Sequence, residues 1–129
     1  MGVPQRPLSP HLGIYRWQLT MALSILHRLT GVFLSIGAIV LVVVLASIAS
    51  GPNEFVIVQE WISHPIGQLV LMAWVFSLFL HMANGVRHLF WDAGWGFEKA
   101  TANATGVWVV LFAIAATIVV WAMAWGGLL

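Results

Sequence analysis

Two short stretches bring together side chains that rarely share a strongly apolar sequence. In SLFLHMANGVRHLFWD (77–92), Ser77, His81, Asn84, Gly85 and His88 recur at spacings of three and four, which lines them along one face of a helix. In SILHRLTG (24–31), Ser24, His27, Arg28 and Gly31 follow i, i+3, i+4, i+7 and share a face in the same way. An imidazole with a glycine one turn on offers what an axially ligated porphyrin needs, a nitrogen donor and room for a flat ring. The plainer alternative is a neutral histidine bonding between helices, with glycine as a close-packing residue. For Arg28 the plainer alternative is a side chain snorkelling to the interface, although snorkelling does not ask Ser, His and Gly to share its side. The Ser24 hydroxyl and the fixed Arg28 charge suit a quinone, whose carbonyls accept hydrogen bonds and whose reduction consumes protons. Asp92 and Glu98 are acids near the same end and could relay protons; a solvated loop is the plainer reading of Glu98.

The elements that must position these groups are membrane helices. Of 129 residues, 61% are hydrophobic and 7% charged, against about 25% charged in a soluble domain. Three apolar stretches, about 23–50, 66–91 and 104–125, each exceed the ~20 residues that cross ~30 Å of hydrocarbon. Gly51-Pro52-Asn53 ends the first, His64-Pro65 opens the second, and Asp92-Ala93-Gly94 closes it. The third holds no ionisable side chain. Strands of a β-barrel would be about half as long and would alternate. The expected fold is an all-α membrane protein, one transmembrane domain over 1–129 with three transmembrane helices, a cytoplasmic segment at 1–22, and loops between the spans. The absence of cysteine excludes disulfides, cysteine-ligated iron–sulfur clusters on this chain, and haem attached through C-x-x-C-H. The start, MGVPQRPLSPHL, has neither the apolar core of a signal peptide nor the character of an amphipathic presequence, which suits a bacterial inner-membrane protein. Membrane lipid is the expected medium, and no nucleic-acid partner is expected.

Charge sets the expected orientation. Arg6, Arg16, Arg28, Arg87 and Lys99 gather at one side, whereas the first loop has Glu54 and Glu60 and no base. The positive-inside rule then puts the N-terminus and second loop in the cytoplasm and the C-terminus in the periplasm. Trp61, Trp91, Trp95, Trp108 and Trp125 fall near the boundaries, as anchoring aromatics do. Counted back from Trp91 at 1.5 Å per residue, His81 lies about 15 Å into the membrane, where an ionisable group is a functional candidate. His88 lies on the same stripe about 10 Å along the axis, His64 belongs to the opposite surface, and His27 is too shallow. The chain therefore offers one axial ligand, and the second must come from another subunit. His27, Arg28, Arg87 and His88 lie where propionates would need donors, though Arg87 is off the His81 stripe. Gly31 reads as close packing.

RPLSPHLGIY (6–15), SILHRLTG (24–31) and HMANGVRHLFWDAG (81–94), in this order and spacing, resemble the cytochrome b membrane-anchor subunit of succinate dehydrogenase, respiratory complex II. The likeness runs along essentially the whole chain. It implies a flavoprotein subunit that oxidises succinate, an iron–sulfur subunit that carries the electrons, and a second membrane-anchor subunit with which this chain forms a heterodimeric helix bundle. The two anchors hold one haem b between them and help to form the ubiquinone site. The resemblance makes His81 the haem iron ligand, brings the other ligand from the second anchor, and sets His27 by the propionates. It gives Ser24 and Arg28 to the quinone pocket. Three other readings stand beside it: the anchor of a fumarate reductase running the reverse reaction, a haem-free assembly protein whose polar faces only pack helices, and a small transporter. The transporter is disfavoured by the lack of an acidic residue at membrane depth and of a broken-helix pair.

Overall fold

A computed structural model describes residue 14 and residues 16–125. Arg6 and, Ile14 apart, the RPLSPHLGIY stretch lie outside the described residues, as does the end of the chain after Trp125. Among the described residues four helices follow in order from Leu19: α1 (Leu19–Ser50), α2 (Pro52–Ser63), α3 (Pro65–Asp92) and α4 (Lys99–Trp125). Three of them, α1, α3 and α4, are long and apolar enough to cross a membrane.

The breaks between helices follow from local chemistry. Gly51 ends α1 with φ +130° and ψ 176°, a conformation open essentially to glycine alone, and the extended ψ is what the following proline requires. Pro52 then opens α2 at a position where its missing N–H is no loss. The 51–65 stretch was expected to be a loop; instead residues 52–63 form a helix, with Glu54 in the first turn facing the positive end of the helix dipole. His64 caps α3: its Nδ1 accepts a hydrogen bond from the Ile66 N–H at 3.2 Å, and Pro65 stands at the first helical position. Gly94 and Gly96 have φ of +88° and +82° and turn the chain from α3 into α4. That last helix starts at Lys99, earlier than the expected Ala104, and α1 starts at Leu19 rather than Leu23.

The central helix is α3, with α1 on one side and α4 on the other. Leu23, Leu80, Val109 and Ala113 form the buried core, and Phe76, Phe79, Ala83 and Val110 pack around it. Small residues bring the helices together, as they do between membrane helices generally. A methyl at Gly106 would come within 2.8 Å of Leu23 Cδ1, so α4 meets α1 there. A methyl at Gly37 would overlap the indole nitrogen of Trp74, so the nitrogen edge of that ring sits directly against α1. Most hydroxyls within the spans are satisfied by their own helix: Ser35, Ser47, Ser77 and Thr117 each donate to a carbonyl three or four residues back. The second half of α1 turns Ile39, Val40, Val42, Val43 and Leu45 outward, where lipid is the matching solvent.

Candidate functional site

Near the start of α1 and the end of α3, the two helices run antiparallel and are latched by a pair of side-chain bonds. His81 Nδ1 lies 3.0 Å from the His27 carbonyl oxygen and 3.2 Å from Thr30 Oγ1. One turn along, Asn84 Nδ2 donates to the Leu23 carbonyl at 3.4 Å. Helix carbonyls can serve twice because each oxygen has a second lone pair. Leu23 and His27 are one turn apart on α1, and Asn84 and His81 one turn apart on α3, so the two bonds set one register between the helices.

This latch fixes which ring nitrogen of His81 carries hydrogen in the neutral ring. A carbonyl can only accept, so the ring nitrogen facing His27 O must be the one that carries hydrogen. Thr30 spends its own proton on Leu26 O at 2.8 Å and can accept from the same N–H. In the neutral ring Nε2 is the nitrogen with the free lone pair, and it has no hydrogen bond to any described residue. A ring held through Nδ1–H on a backbone carbonyl, with Nε2 free, is the second-shell arrangement of a metal-ligating histidine. The donor set therefore fits one axial position of a haem. Gly31 is what lets the ring sit so close to α1, since a methyl there would stand 3.1 Å from His81 Cε1.

The other two imidazoles gather beside it. His27 stacks on His81 with centroids 3.9 Å apart and planes 8° from parallel, and its Nδ1 is buried with no partner. His88 tilts against His27 at 5.2 Å and meets Trp91 edge-on at 5.0 Å. Stacked rings do not converge on one ion, and no group of three or more metal-ligating side chains forms among the described residues. Gly85 faces His27, and a methyl there would meet Cε1 at 3.8 Å, an ordinary contact.

The structure does not treat the expected α1 face as one surface. His27 is half-buried, Ser24 is at the edge and also half-buried, and Arg28 is exposed. Neither Ser24 nor Arg28 has a hydrogen bond or ion pair among the described residues. Ser24 thus differs from the self-satisfied hydroxyls deeper in the spans, such as Ser35 and Ser77. Asp92, the last residue of α3, is exposed.

Arg87 is not brought to the imidazoles. It is 6% exposed and turned toward α4, donating to Thr105 Oγ1 (3.1 Å), Asn84 Oδ1 (3.3 Å) and Ala102 O (2.7 Å). Its guanidinium carbon is 4.0 Å from the centre of the Trp91 ring, a cation–π distance. Its position on α3 lies about 120° from His81 at 100° per residue, so it leaves the stripe that carries the imidazoles, as its spacing in the sequence implies. Sequence reasoning also passed over Thr30 and Thr105. Thr30 carried a usable signal: Leu23, His27 and Thr30 recur at i, i+4, i+7 and form the inward stripe of α1.

The fold and site together define a small three-span membrane protein with a histidine cluster set between two of its spans. The sequence pattern described as the succinate dehydrogenase/fumarate reductase transmembrane subunit matches residues 3–120, and the chain belongs to that family. It is 41% identical over 117 residues to the succinate dehydrogenase cytochrome b556 subunit of Rickettsia prowazekii (strain Madrid E), covering 91% of each chain. Identity to the cytochrome b556 subunit of Paracoccus denitrificans is 36% over 102 residues, 76% of this chain and 75% of that one. The mitochondrial cytochrome b560 subunit of Bos taurus is 37% identical over 118 residues, 88% of this chain and 68% of the bovine one.

Proposed function

We propose that this chain is the cytochrome b anchor of a succinate:ubiquinone oxidoreductase, ligating haem b through His81 and forming one wall of the quinone site with Ser24 and Arg28. The observation that carries the reading is the His81 ring, held through Nδ1–H by the His27 carbonyl at 3.0 Å with Nε2 left free. The cytochrome b names of the relatives agree with it. Bound haem b supplies one-electron redox chemistry inside the membrane. His81 would hold the haem iron from this chain, and a second membrane-anchor subunit would supply the other ligand, since His27 is stacked on the His81 ring and cannot reach the opposite side of the iron. His27, with a buried Nδ1 that has no partner, and His88 serve the propionates, and Gly85 borders the ring.

Ser24 donates through its unspent hydroxyl to a quinone carbonyl, and Arg28 offers a fixed charge with several donors. Asp92 provides proton entry at the exposed end of α3. The N-terminus is cytoplasmic and the C-terminus periplasmic in a bacterial inner membrane, so the iron–sulfur and flavoprotein subunits dock at the end that carries the site. Electrons then arrive where the quinone donors and the histidines are gathered.

A reduced-minus-oxidised spectrum of the purified complex tests the haem assignment. A b-type α-band is expected in the wild type and its loss in His81→Ala; an unchanged band in the variant would remove His81 as ligand. Ser24→Ala and Arg28→Leu should slow quinone reduction at least tenfold and leave succinate oxidation by an artificial acceptor near normal. Equal loss in both assays would point to failed assembly and count against the quinone assignment.

A further inference from the structure

Arg87 is a charge that the proposed function does not use. It lies within α3 at 6% exposure, and every partner it has is neutral: a threonine hydroxyl, an amide oxygen, a backbone carbonyl and an indole face. These partners disperse its charge without cancelling it. No carboxylate joins them among the described residues, and an uncompensated cation inside a membrane span is expensive. A guanidinium has five N–H donors, and three are engaged, which leaves two.

Beside Arg87 lies a cavity of about 470 Å³, bounded by α3, α4 and the turn between them. Its lining combines two chemistries. Arg87 and Thr105 supply polar groups part-way along it, and the 68%-exposed Trp95 marks the membrane boundary at the turn. Ala83, Val86 and Phe90 share one apolar face of α3, with Ala83 and Val86 on the membrane-interior side of Arg87 and Phe90 on the turn side. Val86 and Phe90 are about half exposed, so the cavity opens sideways to lipid.

We infer that this cavity seats a phospholipid of net negative charge, its phosphate on the free Arg87 N–H groups, the start of an acyl chain along Val86 and Ala83, and the glycerol end beside Phe90. Charge complementarity selects the headgroup. Arg87 brings one positive charge that no described residue opposes, and a zwitterionic lipid already carries its own counter-cation beside the phosphate. The apolar run selects a lipid over a carboxylate from a soluble partner, which would satisfy Arg87 but leave the Ala83–Phe90 groove unfilled. Guanidinium–phosphate pairs are charge-assisted and often bidentate, which suits two remaining donors in one plane. The site lies on the α4 side of α3, across Trp91 from His88, and the inference does not rest on whether His81 binds haem.

The test uses the intact complex, exchanged through detergent into nanodiscs with equal amounts of dioleoyl-phosphatidylglycerol and dioleoyl-phosphatidylcholine, then released for native mass spectrometry. Wild type should retain phosphatidylglycerol at least tenfold over phosphatidylcholine. Val86→Trp fills the apolar run from a half-exposed position without touching the Arg87 bonds, so the complex should assemble as judged by its visible spectrum and melting temperature while lipid retention falls about tenfold. Arg87→Gln should lose the preference as well, but it also cuts the α3–α4 bonds, so the Val86 variant decides. Equal retention of the two lipids, or unchanged retention in Val86→Trp, overturns the inference. Displacement of phosphatidylglycerol by millimolar inorganic phosphate, or an acidic side chain of another subunit found cross-linked at Arg87, would assign the charge to a different occupant and overturn it too.

Discussion

Replacing Gly31 by alanine tests whether the fit of the His81 ring against α1 controls haem binding. The added methyl would stand 3.1 Å from His81 Cε1 and 3.7 Å from Nδ1. Carbon atoms prefer about 3.5–4.0 Å, so the ring must retreat by roughly 0.4 Å. Moved straight back, it would lengthen the 3.0 Å contact with His27 O to about 3.4 Å, outside the ~2.7–3.2 Å range of sound N–H···O bonds. Losing most of one such bond costs about 1 kcal/mol, and the residual crowding adds a cost at the low end of the ~1–3 kcal/mol typical of overpacking. A total of about 1–2 kcal/mol corresponds to a five- to thirtyfold weaker haem complex. That is of the order found when an outer-shell partner of a metal ligand is removed, about 10–100-fold. Haem titrated into the haem-depleted complex and followed at the Soret band gives the affinity. Gly85→Ala is the matched control, because its methyl meets His27 Cε1 only at 3.8 Å and should leave the haem-depleted complex melting as wild type does. A Gly31→Ala complex that binds haem within twofold of wild type would refute the argument that this contact seats the ring.

Two further changes probe the packing that holds the site. Gly37→Ala drives a methyl into the Trp74 indole nitrogen, so the subunit should lose about 1–3 kcal/mol, read as a lower melting temperature in detergent, with Trp74→Leu in the same chain recovering most of it. Asn84→Leu removes the donor to Leu23 O and the acceptor for Arg87 Nη1; a buried group left unsatisfied costs about 1–3 kcal/mol, so this variant should unfold at lower temperature and release haem faster, while a fully wild-type melt would show that the α1–α3 register is held elsewhere.

The legible part of this molecule was whatever repeats along a helix. Span number and the inward placement of His27 and His81 follow from apolar length and the 3.6-residue period. What the period does not give is which neighbour a face meets. Arg87 and His88 are adjacent in sequence, yet one faces α4 and the other the α1 side, and only the packing of α4 decides that Arg87 bonds Ala102 and Thr105. The same packing explains why α4 begins before Ala104: its first turns carry those acceptors. The α2 helix was hidden for a different reason. Gly51-Pro52-Asn53 reads as a turn and Val56-Ile57-Val58 as β-branched residues, whereas proline at the first helical position and contact with the ends of α1 and α3 favour a helix. Ser24, His27, Arg28 and Gly31 share a face by spacing, but that face is wider than the contact with α3, so His27 and Gly31 turn inward while Arg28 stays outside.

The site and the register of the bundle are the same set of bonds. Antiparallel helices that slide by one turn would pair Asn84 with the His27 carbonyl and leave His81 facing no acceptor that it faces now. His81 bonded to His27 O and Asn84 bonded to Leu23 O therefore select one alignment, and Gly31 is the only residue type that lets α1 and the His81 ring come close enough to make it. Asn84 is also where the two polar systems of α3 meet, since its Nδ2 serves α1 and its Oδ1 receives Arg87, which in turn holds α4. A change in the position of Arg87 is thus passed through one buried amide to the helix whose next inward carbonyl orients His81. That chain of contacts clamps the third span to the first through the residue that bonds α1 one turn from His81.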